Sequence, residues 1–368
     1  MRVLFIVEYF PPHVGGVEAL FDNLAEKLIE RGNEVTVLTS LVPGSEKYEE
    51  RDGAKIYRVS APSRHAFALS FPKAAELAKQ ADLIHTTTYV ATGTTWLARR
   101  LCKKPTVATF HEIWGKLFFE FQNPLAGALN YSLEALMCRL YRNDTLVCPS
   151  ESTKRSMIAA GIPEGNVNIV PSGINHGVFR TDVKPSMKWD GPTYLCYGRA
   201  GMSKGIEYLV EAVPEIARNV PGSKLVLMLG KKDRYNQVAE KVKKMGVEDK
   251  VIFLPPQPDQ SGVAGVIKSC DAVIMPSISE GFGLNVIEAQ ACGVPVVASN
   301  ITSLPEVVRG GLLVEPRNPA KIAEAVTTLL RDRKLREKLG AEGANYVKRY
   351  SWENTTNGYL KVYEKALR

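Results

Sequence analysis

Short β-rich runs alternate with helical patterns from the first residues of the chain, and after residue 192 the alternation starts again. Val3–Val7 and Val35–Thr39 read as strands. Between them Val17, Leu20, Phe21, Leu24 and Leu28 fall at helical spacing, and Arg31-Gly32 ends that helix. This is a βαβ unit, whose crossover lays a helix over the face of a parallel sheet. Further strands are predicted at Lys55–Val59, Leu83–Thr86, Thr106–Phe110, Thr145–Cys148 and Asn168–Val170. A second set follows at Thr193–Tyr197, Lys224–Leu229, Lys250–Leu254, Ala272–Met275, Pro295–Ala298 and Gly311–Val314, separated by helices such as Ile206–Asn219 and Pro319–Arg331. Two doubly wound α/β domains result, and 368 residues are enough for both, since one core rarely serves more than about 200. Pro171–Pro192, with three prolines and three glycines, reads as the linker. Ligands of such sheets bind outside the carboxyl ends of the strands, so a cleft between the two sets is the expected place for a site.

With 45% hydrophobic and 23% charged residues the chain has the composition of a globular protein. Its net charge of +8 is unevenly placed: residues 1–174 carry 19 Lys and Arg against 18 Asp and Glu, whereas 175–368 carry 28 against 21. A basic second half suits an anionic ligand such as a nucleotide diphosphate. Nucleic acid is disfavoured, because Lys231-Lys232 and Lys243-Lys244 are short and have no interleaved aromatics. The six cysteines lie far apart without a CxxC, which argues against zinc and dithiol chemistry and fits a reduced, cytoplasmic setting. The apolar run at Val3–Val7 stops at Glu8, too short for a signal peptide, and nothing in the sequence reaches the about 18 apolar residues of a membrane span.

Chemistry concentrates where strands give way to helices. Pro11-Pro12-His13-Val14-Gly15-Gly16-Val17 follows the first strand; its glycines make either a tight turn or a cradle in which backbone N–H groups meet a phosphate. Tyr197-Gly198-Arg199 ends a later strand and Ser203-Lys204-Gly205 opens the next helix, so Arg199 and Lys204 project from one loop as solvated cations or as a diphosphate clamp. Glu280-Gly281-Phe282-Gly283-Leu284-Asn285-Val286-Ile287-Glu288 places two carboxylates around the start of a helix expected over about Leu284 to Cys292. A carboxylate accepts two hydrogen bonds side by side, which suits the vicinal hydroxyls of a sugar ring; two of them suit a ligand with two such rings.

His111, after the strand Thr106–Phe110, stands either as a structural histidine or as a neutral imidazole contacting a sugar hydroxyl. Residues 114–141 are rich in aromatic and aliphatic side chains. They read as a helical pair packed in the first domain, or as a face that touches lipid or a greasy acceptor; only Lys116, Arg139 and Arg142 supply positive charge for such a face, and Glu120 and Glu134 oppose them.

Taken together these residues resemble the retaining glycosyltransferases with two Rossmann-like domains, the GT-B fold, of family 4 or group 1. The likeness runs over nearly the whole chain: Gly15-Gly16-Val17-Glu18, Gly198-Arg199 to Lys204-Gly205, Pro171-Ser172-Gly173-Ile174 followed by Phe179, and the Glu-x7-Glu motif at Glu280 and Glu288. It implies domains over 1–172 on the acceptor side and 173–351 on the donor side, facing a central cleft, with a last helix over 352–368 crossing back on a stripe of Trp352, Tyr359, Val362, Tyr363 and Ala366. By the same resemblance Glu288 would bind the nucleotide ribose and Glu280 the donor sugar, Arg199 and Lys204 would hold the diphosphate beside Gly15 and Gly16, Gly281, Phe282, Gly283 and Leu284 would line the sugar and phosphate, and His111 would lie near the anomeric end. Glu280, His111, Arg199 and Lys204 would be the catalytic set, with no metal and no cofactor.

The implied activity is transfer of a hexosyl or N-acetylhexosaminyl group from a nucleoside diphosphate sugar to a hydroxyl acceptor: a glycolipid, a lipid-linked saccharide or a small polar molecule. Configuration would be retained by front-face substitution. The protein is then expected in the cytoplasm, with residues 114–141 as the segment for peripheral contact with the inner face of a membrane. The sequence departs from the family at Asn175, where Asp is usual, and at Leu229-Gly230-Lys231-Lys232-Asp233, which lacks the usual Gly-x-Gly-Pro. A sugar-nucleotide epimerase on a related fold and a sugar-binding protein without catalysis are the competing readings.

Overall fold

The apolar runs that read as strands fold as strands, and helices cover both of their faces. The computed structural model describes residues 1–61, 63, 65–230 and 234–368. It forms two units, Met1–Gly173 with Trp352–Arg368, and Ile174–Ser351.

In the first unit the described residues form an eight-stranded sheet of β1 (Arg2–Ile6), β2 (Glu34–Ser40), β3 (Tyr48–Arg51), β4 (Ala54–Val59), β5 (Leu83–Thr87), β6 (Thr106–Thr109), β7 (Thr145–Cys148) and β8 (Val167–Ile169). The order is β3-β4-β2-β1-β5-β6-β7-β8, parallel except for the β3–β4 hairpin. The order reverses beside β1, whose Phe5 pairs with Val37 of β2 on one side and His85 of β5 on the other. Sequence reading does not anticipate β3: its Tyr-Glu-Glu-Arg carries no apolar run, as befits an edge strand guarded by charge.

The helices of this unit are α1 (Gly16–Glu30), α2 (Phe71–Gln80), α3 (Val90–Cys102), α4 (Leu117–Phe121), α5 (Pro124–Tyr141) and α6 (Glu151–Ala159). Leu20, Phe21, Leu24 and Leu28 of α1 pack on Val3, Phe5 and Val37. Helix α5 is different. Gly127, Glu134, Met137, Cys138 and Tyr141 face inward, while Leu125, Leu129, Leu133 and Leu136 are 86, 61, 47 and 50% exposed. At 3.6 residues per turn those four leucines fall within an arc of about 80°. The expectation of a helical pair packed in the domain therefore holds for one face of α5 and fails for the other.

In the second unit the sheet is β9 (Thr193–Gly198), β10 (Lys224–Leu229), β11 (Val251–Leu254), β12 (Ala272–Met275), β13 (Val296–Ser299) and β14 (Gly311–Val314), in the order β11-β10-β9-β12-β13-β14 and parallel throughout. It is flanked by α7 (Ile206–Asn219), α8 (Tyr235–Lys244), α9 (Gln260–Lys268), α10 (Leu284–Ala291), α11 (Leu304–Val307), α12 (Pro319–Arg331) and α13 (Arg333–Tyr346). Leu209, Val213, Ile216 and Leu329 build the core on one face, and Val226, Val273, Val286 and Ile287 that on the other. The order reverses between β9 and β12, which puts the loops after these two strands side by side.

Pro171–Pro192 is not a free linker. Ile174 and Phe179 are 4 and 1% exposed within the core of the second unit, because they have Leu195, Val286 and their neighbours to pack against. Asn175 Oδ1 accepts from the Gly177 N–H at 2.9 Å, so an amide oxygen supplies the acceptor this turn needs and no charge is required. Lys231-Lys232-Asp233 lies outside the described residues.

The last helix, α14 (Trp352–Leu367), belongs to the first unit. Tyr359, Val362 and Tyr363 are buried against α1 and the sheet, with Trp352 and Ala366 partly buried around them. Tyr363 Oη lies 2.6 Å from His85 Nδ1, and His85 Nε2 lies 2.8 Å from Thr109 Oγ1. Burial holds His85 far below the usual histidine range, at about 3, so this pair of bonds is made by a neutral ring.

Candidate functional site

In the second unit, β9 ends at Gly198 (φ +116°), and the exposed Arg199 follows. Gly205, at φ +59°, caps α7, and a Cβ there would collide with the Pro276 carbonyl. Only glycine lets these two loops approach so closely. The Ser203 carbonyl accepts from the Ile278 N–H at 2.7 Å, which ties the loop after β9 to the segment leaving β12. Lys204 Nζ and Glu280 Oε2 then meet at 2.5 Å, with side chains 26 and 15% exposed. Glu280 is held at its backbone as well, since its N–H donates to Thr302 Oγ1 at 3.1 Å and its carbonyl accepts from Ser303 Oγ at 2.8 Å.

Helix α10 begins after Gly283 (φ +97°). The N–H groups of Phe282, Gly283 and Leu284 have no hydrogen-bond partner among the described residues. Such orphan donors at a helix start, reinforced by the helix dipole, are a seat for an anion. Glu288 stands at the fifth position of α10, one turn beyond them. The Tyr197 hydroxyl lies 2.7 Å from Glu288 Oε2 and 3.0 Å from the Asn285 carbonyl, and Asn285 Nδ2 donates back to the Tyr197 carbonyl at 2.8 Å. Burial raises the Glu288 carboxyl to about 7, although the hydrogen bond from Tyr197 pulls it down.

Arg199, Lys204, Glu280, the backbone of Gly281–Leu284 and Glu288 are thus gathered at the carboxyl ends of the two strands that flank the reversal. Sequence reading missed Tyr197, which bonds the Glu288 carboxyl, Asn285, which holds Tyr197, and Thr302 and Ser303, which hold the Glu280 backbone. Tyr197 had a signal, being the last side chain before Gly198; the other three act through contacts that spacing does not reveal.

In the first unit, Gly15 caps α1, and a Cβ on it would collide with the Glu18 carboxylate, which folds back over the helix start. Glu18 Oε1 lies 2.8 Å from His13 Nδ1, and the His13 ring stacks on Tyr9 with centroids 4.2 Å apart. Gly15 therefore accommodates a side chain of its own helix, a duty beyond the turn expected of it. Gly16 opens α1 at the carboxyl end of β1, and His111 follows β6. His111 Nε2 is buried without a hydrogen-bond partner among the described residues, and burial lowers the ring to about 4, so the imidazole is neutral. After it, the N–H groups of Trp114 and Gly115 donate to the buried Glu134 at 2.8 and 2.7 Å.

Residues 14–178 match the family described as Glycosyltransferase Family 4, and residues 180–346 match Glycosyl transferases group 1. An uncharacterized glycosyltransferase of Methanocaldococcus jannaschii is 29% identical over 397 residues, covering 100% of the chain and 99% of that protein. The D-inositol 3-phosphate glycosyltransferase of Actinosynnema mirum is 30% identical over 311 residues, covering 77 and 72% of the two chains. Among solved structures, sucrose-phosphate synthase from Thermosynechococcus elongatus superposes with a TM-score of 0.83 at 24% identity, covering 99% of this chain and 98% of the other. HepE of Anabaena, in complex with UDP-glucose, superposes with a TM-score of 0.82 at 18% identity, covering 99 and 100%. These structures share the fold.

Proposed function

Because the chain belongs to the family 4, group 1 glycosyltransferases and is therefore a glycosyltransferase on the GT-B fold, we propose that it moves a hexosyl or N-acetylhexosaminyl group from a nucleoside diphosphate sugar to a hydroxyl acceptor, retaining configuration and using no metal. The observation that carries this reading is the row formed by Lys204, Glu280, the orphan amides of Phe282–Leu284 and Glu288. Along the chain the orphan amides, which suit phosphate, lie between Glu280 and Glu288, which suit hydroxyls, and a sugar nucleotide likewise carries its diphosphate between two hydroxyl-bearing rings.

Glu288, held by Tyr197, takes the ribose hydroxyls, and Glu280 takes those of the transferred sugar. Arg199, Lys204 and the amides of α10 take the diphosphate and stabilise the charge that develops as it leaves. Among the described residues Arg199 makes no ion pair, so its guanidinium is available to phosphate. Lys204 is already paired with Glu280; the pair keeps each group in place until phosphate and sugar hydroxyls arrive. These cations do the work that a divalent ion would do. In the first unit Gly16 N–H is assigned to phosphate and neutral His111 to the sugar near its anomeric carbon, where an uncharged ring can accept or donate one hydrogen bond. In acceptor attack on the face from which the diphosphate leaves, the new glycosidic bond forms as the sugar–phosphate bond breaks and the acceptor's proton passes to the departing diphosphate oxygen, so no protein nucleophile is needed.

HepE was crystallised with UDP-glucose and with UDP and glucose, which supports a nucleotide-sugar donor here. The outward leucines of α5 support a lipid-linked acceptor, or the bilayer surface holding it, lying against the first unit. Incubation with a panel of UDP-, GDP-, ADP- and dTDP-sugars tests the reading: one of them is expected to yield nucleoside diphosphate in step with glycosylated acceptor. Return of an altered sugar nucleotide without release of diphosphate would identify an epimerase instead.

A further inference from the structure

Glu134 is a carboxylate on the inner face of α5, 4% exposed among Met137, Cys138 and Tyr141. Packing alone would be served by an apolar side chain there, since an ionised group must recover its lost hydration through hydrogen bonds. It recovers it from one short loop. Oε1 accepts from the Trp114 N–H at 2.8 Å and from the Tyr89 hydroxyl at 2.6 Å, and Oε2 accepts from the Gly115 N–H at 2.7 Å.

Both oxygens are thus committed, and two consecutive peptide planes are fixed by charge-assisted bonds. Tyr89 grips the same loop from the other end of its hydroxyl's reach, 3.3 Å from the Glu112 carbonyl. It does so from a strained backbone, at φ +63° and ψ −105°, as the cap of α3, with its own N–H donating to Met137 Sδ at 3.1 Å. A non-glycine residue keeps such a conformation only where its surroundings impose it, and such positions cluster at functional sites. The loop so fixed, Glu112–Gly115, begins at the residue after His111, whose Nε2 is buried and unpartnered among the described residues.

We propose that Glu134 and Tyr89 are positioning residues for glycosyl transfer: together they set the backbone of Glu112–Gly115 and so hold the His111 ring at the angle at which it meets the donor sugar. This rests on the assignment of His111 to the sugar given above. Neither residue touches substrate. Their effect is on how often His111 is correctly presented, so it falls on kcat and not on donor binding, which Glu288 and the basic residues of the second unit provide.

The test uses the full-length protein and the sugar nucleotide that the panel identifies. Tyr89→Phe keeps the ring and removes one hydroxyl, and Glu134→Gln keeps the shape but turns one acceptor into a donor that faces a peptide N–H. Displacement of a reacting group by about 1 Å costs up to about 100-fold, so kcat is expected to fall about tenfold in Tyr89→Phe and about 100-fold in Glu134→Gln, with donor KM within about twofold. In protein labelled at histidine, the His111 imidazole resonances of Glu134→Gln are expected to titrate nearer the ordinary value of about 6.5, because a loosened loop admits water. Unchanged kcat in both variants would overturn the proposal. So would a loss of kcat that merely follows a lowered melting temperature with the His111 titration unmoved. His111→Ala separates the two layers: full activity there removes the sugar assignment and this inference with it, whereas an inactive His111→Ala beside fully active Tyr89→Phe and Glu134→Gln removes this inference alone.

Discussion

Glu288 shows how one side chain can be read twice. Its position seven residues after Glu280 is legible in the sequence, but the Tyr197 hydroxyl that orients it and the burial that raises it to about 7 are consequences of the fold. A raised carboxyl favours folding when protonated: the contribution is complete below the ordinary value of 4.5 and is lost as pH rises through about 7. Glu288→Gln removes the cost of charging. The variant is therefore expected to be more stable than the parent at pH 8 by about 2 kcal/mol, with the gap narrowing as pH falls and closing only below the ordinary value of about 4.5, as chemical denaturation would measure. The proposed ribose contact has the opposite demand, because it needs the carboxylate as an acceptor for two hydroxyls. Nucleoside diphosphate affinity should weaken by up to about tenfold for each pH unit below 7 in the parent, beyond the ligand's own titration, which Glu288→Gln reports by itself. Equal pH profiles for the two proteins would contradict the ribose assignment.

At the scale of elements, the approach of the loops after β9 and β12 is what brings Lys204 to Glu280. It depends on Gly205, where a left-handed backbone and a Cβ blocked by the Pro276 carbonyl both exclude a side chain. Gly205→Ala is expected to cost roughly 2 kcal/mol or more in unfolding free energy and to lower turnover, through displacement of Pro276–Ser279. Nearly every strand was legible because each is a short apolar run between turn residues. The exception, β3, pairs through a hairpin whose residues are charged. The inner and outer faces of α5 were not legible either: its leucines satisfy the same periodicity whether they face a core or solvent, and here those at 125, 129, 133 and 136 face outward. Glu134 shows the converse, for in the sequence it is one acidic residue opposing three basic ones, and only the fold reveals that it is buried and bound to a loop. That Glu280, Glu288, Arg199 and Lys204 stand at strand-to-helix junctions was legible from the Glu-x7-Glu spacing and the basic pair, while the contacts that hold them, from Tyr197, Thr302 and Ser303, cross between segments that spacing does not connect.

For the whole molecule, the chain forms two doubly wound units, and α14 returns it to the first of them through Tyr359 and Tyr363. Among the described residues no helix is long and apolar enough to cross a membrane. The outer leucines of α5 are the expected contact with a bilayer: in the double variant Leu129→Ser/Leu133→Ser, co-sedimentation with vesicles containing anionic lipid should fall at least about tenfold, since each buried leucine contributes about 1.5–3 kcal/mol, while turnover of a small polar acceptor is kept. Parent protein that does not sediment with such vesicles would remove the membrane from the reading. The central claim is that Glu280 holds the sugar being transferred and Glu288 the nucleotide that leaves, and one comparison reaches it directly. Release of nucleoside diphosphate and binding of nucleoside diphosphate are measured side by side in the parent and in Glu280→Ala. Turnover is expected to fall by about 100-fold or more while the Kd of the diphosphate stays within about threefold. Undiminished turnover in Glu280→Ala would contradict it.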